Sequence, residues 1–336
     1  MNSALVCKAF SHAALDILWE EVEDFLHLLK TIGPNLAQDS PSHYILRGCI
    51  LQARWERFYS YASRIRVLHV GEHETKYTIS TSVYDRLTFQ ARHRRLFPSL
   101  VDLHWKARRA VGSCLLTFIT PSLRRVRVTY ELKTRTGERA TPDHSFRDAL
   151  YVLGSEAPLF SELELLGNVC YSRSLPAVAD FTFLKDLRIV GDVSASAVIR
   201  CCGPLPTLVH LELCALAGAG KSDGPLLDGF YGLEEFSVRG RASVIAHLLH
   251  HIKSPSLFKV SVTFQDYNWD QWTECLQLLY PFKGLLRHLT CRGCLLVIVD
   301  KPPLVLNFGF IMKPLWTLDD FEPSTSVFST LWYQLR

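Results

Sequence analysis

A short pattern, Leu-x-x-Leu-x-Leu with aliphatic or aromatic substitutes, returns along this chain at a nearly fixed step. The clearest copies carry Leu123, Val126 and Val128; Phe160, Leu163 and Leu165; Leu184, Leu187 and Ile189; and Leu208, Leu211 and Leu213. They continue with Leu233, Phe236 and Val238; Leu257, Val260 and Val262; and Leu286, Leu289 and Cys291. Upstream, Ile65, Leu68 and Val70, then Leu100, Leu103 and Trp105, fit the same frame. From Phe160 to Leu257 successive copies lie 24, 24, 25 and 24 residues apart. A step that constant means a repeat architecture, in which each unit buries its apolar side only by stacking on its neighbours.

The segments between copies have helical spacing. Ser145–Leu153, Ser194–Cys201, Ser243–Ile252 and Asp270–Tyr280 place apolar residues three or four apart, with Ser or Asp near their starts as caps. Proline followed by Ser or Thr precedes several strands, as at Pro98-Ser99, Pro121-Ser122, Pro206-Thr207 and Pro255-Ser256. Strand, loop, helix and turn in one step predict an α/β solenoid, with parallel strands on the concave side and helices outside. No run reaches the roughly 18 apolar residues of a membrane span, and the N-terminus lacks a secretory signal pattern. The ten cysteines are irregularly placed, as expected for reduced thiols inside a cell, in cytoplasm or nucleus.

Strand geometry then predicts a surface. In each copy the x positions face solvent and the apolar positions face the core. The solvent rows supply Arg124, Arg125 and Arg127; Glu162 and Glu164; Arg188; His210 and Glu212; Glu234 and Glu235; and Lys259 as candidate partner-binding residues. The three arginines in one row also suit a phosphate, since guanidinium forks match its geometry, or merely keep the sheet edge soluble. Net charge is +4, but residues 44–135 hold 18 Lys or Arg against 6 Asp or Glu. The first 26 residues lean acidic through Asp16, Glu20, Glu21, Glu23 and Asp24. That asymmetry either steers an acidic partner or simply solvates the surface.

Motifs for chemistry do not hold together. Ala215–Ser222 satisfies a loose phosphate-loop pattern, but Asp223-Gly224-Pro225 follows at once and cannot begin the helix such a loop needs. Cys291-x-x-Cys294 lacks a second pair at zinc spacing; Cys294 and Asn168 occupy the slot that bonds the turn after a strand. His247, His250 and His251 share a helix without a nearby carboxylate or cysteine in sequence. No catalytic residue, metal or cofactor is expected, and the chain is read as a non-enzyme.

The repeats resemble leucine-rich repeats over residues 65–291. Residues 4–19 resemble the last helices of an F-box, with Val6, Cys7, Lys8, Phe10, Leu18 and Trp19 matching its Val-Cys-Lys-x-Phe and Leu-Trp elements. Together with Trp55–Leu68, the combination looks like the F-box leucine-rich-repeat proteins of mushroom-forming (basidiomycete-type) fungi. The resemblance implies a target-recognition subunit of a Skp–cullin–F-box ubiquitin ligase. Val6, Cys7, Phe10, Leu18 and Trp19 would dock on a Skp-type adaptor, while the concave repeat face holds a protein target. No membrane or nucleic-acid partner is expected. The family's first F-box helix, with its Leu-Pro motif, is expected to be missing ahead of Val6, so the F-box reads as truncated and adaptor binding as weakened. The alternative is a repeat scaffold with a relic F-box and no ligase recruitment, in which residues 4–30 cap the array. Three regions are expected: an F-box-like helical segment over 1–48, the repeat array over 49–300, and a C-terminal cap or irregular tail over 301–336.

Overall fold

The structure, a computed structural model, describes residues 8–71, 77–92, 94–107, 112–130, 144–171, 173–217, 228–265, 274–275, 277–282, 285–299 and 301–312. Its strands in chain order are β1 (Glu21–Val22), β2 (Leu36–Ser40), β3 (His43–Leu46), β4 (Val67–Gly71), β5 (Thr78–Ile79), β6 (Asp102–Ala107) and β7 (Arg125–Tyr130). Then follow β8 (Glu162–Cys170), β9 (Asp186–Ser194), β10 (His210–Ala217), β11 (Glu235–Gly240), β12 (Lys259–Phe264), β13 (His288–Val299) and β14 (Lys301–Met312). The fold is α/β. Eleven of these strands make one sheet in the order β1-β4-β6-β7-β8-β9-β10-β11-β12-β13-β14. All neighbours pair in parallel except the last, where β14 runs antiparallel to β13.

Strand order follows sequence order because each repeat lays its strand beside the previous one in fixed register. The second apolar position of every motif aligns across the sheet: Leu68, Leu103, Val126, Leu163, Leu187, Leu211, Phe236, Val260 and Leu289. The third position forms an adjacent row from Val70 to Cys291. Both rows are buried as far as Val262. A one-residue slip would turn both to solvent, so the apolar pattern fixes the register.

A recurrent hydrogen bond fixes where each strand begins. The Lys185 carbonyl accepts from the Val209 and His210 amides, each at 2.9 Å, and the Val209 carbonyl accepts from Glu234 at 2.9 Å and Glu235 at 3.0 Å. The same pairing repeats from Arg66 through Phe258. Hydroxyls close the preceding turns: Thr207 Oγ1 reaches the Thr182 and Leu184 carbonyls, each at 2.9 Å, and Ser122 Oγ does the same for Pro98 and Leu100. This is the role of the hydroxyl at Pro121-Ser122 and Pro206-Thr207; at Pro255-Ser256 it falls to Ser254, which precedes the proline and bonds the Leu233 carbonyl. The hydroxyl bonds carbonyls that would otherwise be orphaned at the turn.

Helices return the chain between strands, as the spacing predicts. His144–Glu156 covers the first expected segment, and Ala195–Cys202 the second, with Ser194 Oγ accepting from the Ala197 amide. Ala242–His250 stops short of Ile252, because Ile252 forms a parallel bridge with Gly229. Asp270–Tyr280 lies partly outside the described residues. Between β8 and β9 the return is only a 3-10 turn, Leu175–Asp180.

At the N-terminal end, the helix Lys8–Glu20 leads into β1, which pairs with β4. Phe25 packs on Tyr84 and edge-on to Phe118, inside the same core as the repeats. The hairpin β2–β3, joined in parallel by β5, makes a separate three-stranded sheet. Residues 313–336 lie outside the described residues.

Among the positions with positive φ, Gly167 stands inside a strand. Gly167 has φ +126 within β8, where pairing with β9 shifts register between Leu166 and Cys170. A Cβ there would stand 2.2 Å from the Tyr130 carbonyl oxygen. We expect Gly167→Ala to cost about 1–3 kcal/mol, through a backbone region open only to glycine. Leu187→Ala, which empties a buried site between two repeats, is expected to cost about 2–5 kcal/mol. Denaturant unfolding of each variant measures both losses.

Candidate binding surface on the sheet

The solvent face of the sheet carries its charged residues in two lateral rows. The first runs Asp102, Arg125, Glu162, Asp186, His210, Glu235 and Lys259; the second runs His69, His104, Arg127, Glu164, Arg188 and Glu212. Parallel pairing brings residues 23 to 37 positions apart in sequence into direct lateral contact, and cross-strand partners of opposite charge attract.

In the second row the charges alternate. Arg127 donates two hydrogen bonds to Glu164, at 2.8 and 2.7 Å, and Arg188 lies 3.9 Å from Glu164 and 3.1 Å from Glu212. In the first row Arg125 binds Glu162 through both forks and reaches Asp102 at 3.0 Å; His210 pairs with Asp186, and Lys259 meets Glu235 at 2.7 Å. Hydrogen bonding to Glu162 holds the Arg125 guanidinium above its ordinary pKa despite partial burial, and Glu164 does the same for Arg127. Of the two readings of this arginine row, the phosphate grip is the less favoured: two of the three arginines are committed to carboxylates. Arg124 is exposed and has no ion-pair partner among the described residues.

Asp102 departs from the expected solvent-facing position. It is only 8% exposed, covered by its neighbours. Burial pushes its pKa up, but His104 and Arg125 outweigh that and hold the carboxyl below the usual range. His104 Nε2 lies 3.2 Å from Oδ1, near enough to favour the anion, although that oxygen has no well-aligned hydrogen bond. The His104 ring stacks on His69 with centroids 4.3 Å apart, and His69 sits 3.5 Å from Glu21. The sequence reading missed this histidine pair. Its signal was the identical final x position of two neighbouring motifs.

The other candidates scatter. Glu234 sits half-buried at the entry to β11, outside the two charged rows. Val6 and Cys7 lie outside the described residues, and Phe10 is described only in its backbone. Leu18 is 46% exposed, whereas Trp19 is turned inward, stacked on Tyr61 at 4.6 Å. Arg64 ties the same helix down by pairing with Asp16 and reaching the His12 carbonyl. Gly220, Lys221 and Ser222 lie outside the described residues, as do the side chains of Asn168 and Cys294. Cys291 is a free thiol whose pKa burial pushes up to about 11. The histidine cluster does have a carboxylate beside it, contrary to expectation: Asp228 Oδ1 lies 3.7 Å from His251 Nδ1. Among the described residues no group of three His, Cys, Asp or Glu is arranged to hold a metal ion, and no helix is long and apolar enough to cross a membrane. Neither a protein-family model nor a curated protein matches the chain.

The lateral pairing has a measurable strength. A double-mutant cycle on Arg127→Met and Glu164→Gln should give a coupling of about 0.5–1 kcal/mol, smaller at high salt. Zero coupling at low salt would show that the pair contributes nothing.

Acid should weaken the fold by a separate route. Burial, then His247 and His250, depress the His251 pKa. Its neutral form is therefore fully accommodated above the unfolded value near ~6.5, and stability falls as pH drops below that, because the unfolded chain binds the proton more readily. Thermal melts from pH 7 to pH 5 should show a shallower decline in His251→Gln than in the unsubstituted protein.

Proposed function

We propose that this chain is a leucine-rich-repeat solenoid that recognises a protein target, and that it serves a Skp–cullin–F-box ubiquitin ligase as its target-recognition subunit. The observation that carries the recognition part is the register. Repeats of about one step each align their strands into a single parallel sheet with a long, polar, solvent-facing surface. Such a surface presents many side chains in fixed positions, which suits a protein or peptide ligand and asks no bond-making of the chain.

The adaptor part is supported by the helix Lys8–Glu20. It leaves Ile17 76% exposed beside Leu18, two aliphatic side chains with no covering element among the described residues. Aliphatic pairs of that kind are typical of docking helices. Ile17 thus joins the adaptor-facing candidates, and Trp19 is reassigned to anchoring the helix on Tyr61. An adaptor of this class would place the protein inside the cell, in cytoplasm or nucleus.

A second reading, a repeat scaffold that recruits no ligase, is favoured by the same Trp19–Tyr61 stack, because an aromatic used as an internal anchor is withdrawn from any adaptor. Co-purification with a Skp-type adaptor separates the two. The receptor reading predicts a complex with the unsubstituted chain and its loss in Ile17→Asp with Leu18→Asp, at an unchanged melting temperature. If the unsubstituted chain forms no complex, the scaffold reading replaces it; if the double variant still binds, the adaptor does not dock on Ile17 and Leu18.

A further inference from the structure

The lateral ion pairs leave the middle of the sheet face largely self-neutralised, so its unspent binding capacity lies elsewhere. It collects at the rim where the strands begin. The double-acceptor hydrogen bonds place Arg66, Val101, Arg124, Ser161 and Lys185 side by side in one row there, from β4 to β9. No acid enters that row until Glu234. Arg66 has only Glu20, at 3.9 Å between two exposed side chains. Arg124 and Lys185 are exposed and have no partner among the described residues. They are two strand spacings apart, roughly 10 Å.

The turns that feed the same strands supply an apolar counterpart. Leu159 is 55% exposed and Phe183 59% exposed, and they occupy equivalent places in consecutive turns, one residue before the buried Phe160 and Leu184. Their backbones are fixed by the turn bonds from Phe160 to Ala157 and from Leu184 to Phe181. Two large apolar side chains, each two residues ahead of the rim positions Ser161 and Lys185, join a row that holds two unpaired cations, the composition of an interface centre in which an aromatic anchor is flanked by charge.

We propose that the target engages this rim through an acidic segment bearing a bulky apolar side chain. The apolar group seats on Leu159 and Phe183, and carboxylates reach Arg124 and Lys185. The Arg127–Glu164–Arg188–Glu212 ladder then sets the shape of the neighbouring surface without supplying the main attraction. This deepens the target-recognition reading and rests on it, but it does not depend on recruitment of an adaptor.

Selection of a random peptide display library on the immobilised chain tests it. Enriched peptides should be acidic with Leu, Ile, Phe or Trp among the acids. The synthetic form of the most enriched peptide should bind roughly tenfold more weakly to Arg124→Glu with Lys185→Glu, and to Phe183→Ser, than to the unsubstituted chain. Binding should weaken with salt and be unchanged in Arg47→Ala, whose exposed side chain pairs with Asp39 beside the separate hairpin β2–β3. All substituted positions are exposed, and equal melting temperatures would confirm intact folding. Basic or neutral enriched peptides, no enrichment, or undiminished binding by the rim variants would overturn the proposal. Adaptor co-purification is read separately, so a chain that captures the adaptor yet selects no acidic peptide refutes the rim alone.

Discussion

From β6 to β13, each strand of the main sheet is held at its entry by a carbonyl of the preceding repeat that accepts two amides, and everything else is referred to that point. With the entry fixed, alternate side chains must go to the core or to solvent, and the apolar positions of the motif decide which. The lateral rows from Leu68 to Leu289 and from Val70 to Cys291 follow directly. The return segments need only be long enough to come back, which is why a 3-10 turn between β8 and β9 replaces a helix without disturbing the register around Leu163 and Leu187. Where β8 does shift, the shift falls at Gly167, the residue with no Cβ to strike the Tyr130 carbonyl.

The same register determines the electrostatics. Side chains at one x position of consecutive motifs become lateral neighbours, so a sequence that alternates Arg and Glu at that position builds a ladder of ion pairs. Each exposed pair contributes little. Their larger effect is on binding: guanidinium groups already forked onto carboxylates are poor receptors for a further anion. Cations at the strand entry, Arg124 and Lys185, have no such neighbour because the adjoining entries are Val101, Ser161 and Val209.

Much of this is legible in the amino-acid pattern alone. The motif step yields strands β4 and β6 to β13, their order and both buried rows, and helical spacing locates the return segments near β8, β10 and β12. Three features are not legible there. The commitment of Arg125 and Arg127 to carboxylates depends on pairs 37 residues apart becoming neighbours, which a row-by-row reading of charge conceals. The burial of Asp102 arises from the side chains beside it rather than from its own strand position. The inward turn of Trp19 reflects Tyr61, on a helix outside the repeat frame, which no local pattern connects to it.

Hydrogen–deuterium exchange across the described strands tests most directly whether the repeat register makes a single continuous sheet. The expected result is slow exchange at the entry amides of Val101, Arg124, Ser161, Lys185, Val209, Glu234 and Phe258, with protection running unbroken from β6 to β12. A band of fast exchange between two adjacent strands in that range would contradict it, because the lateral bonds that order both the core rows and the charged rows would then be absent there.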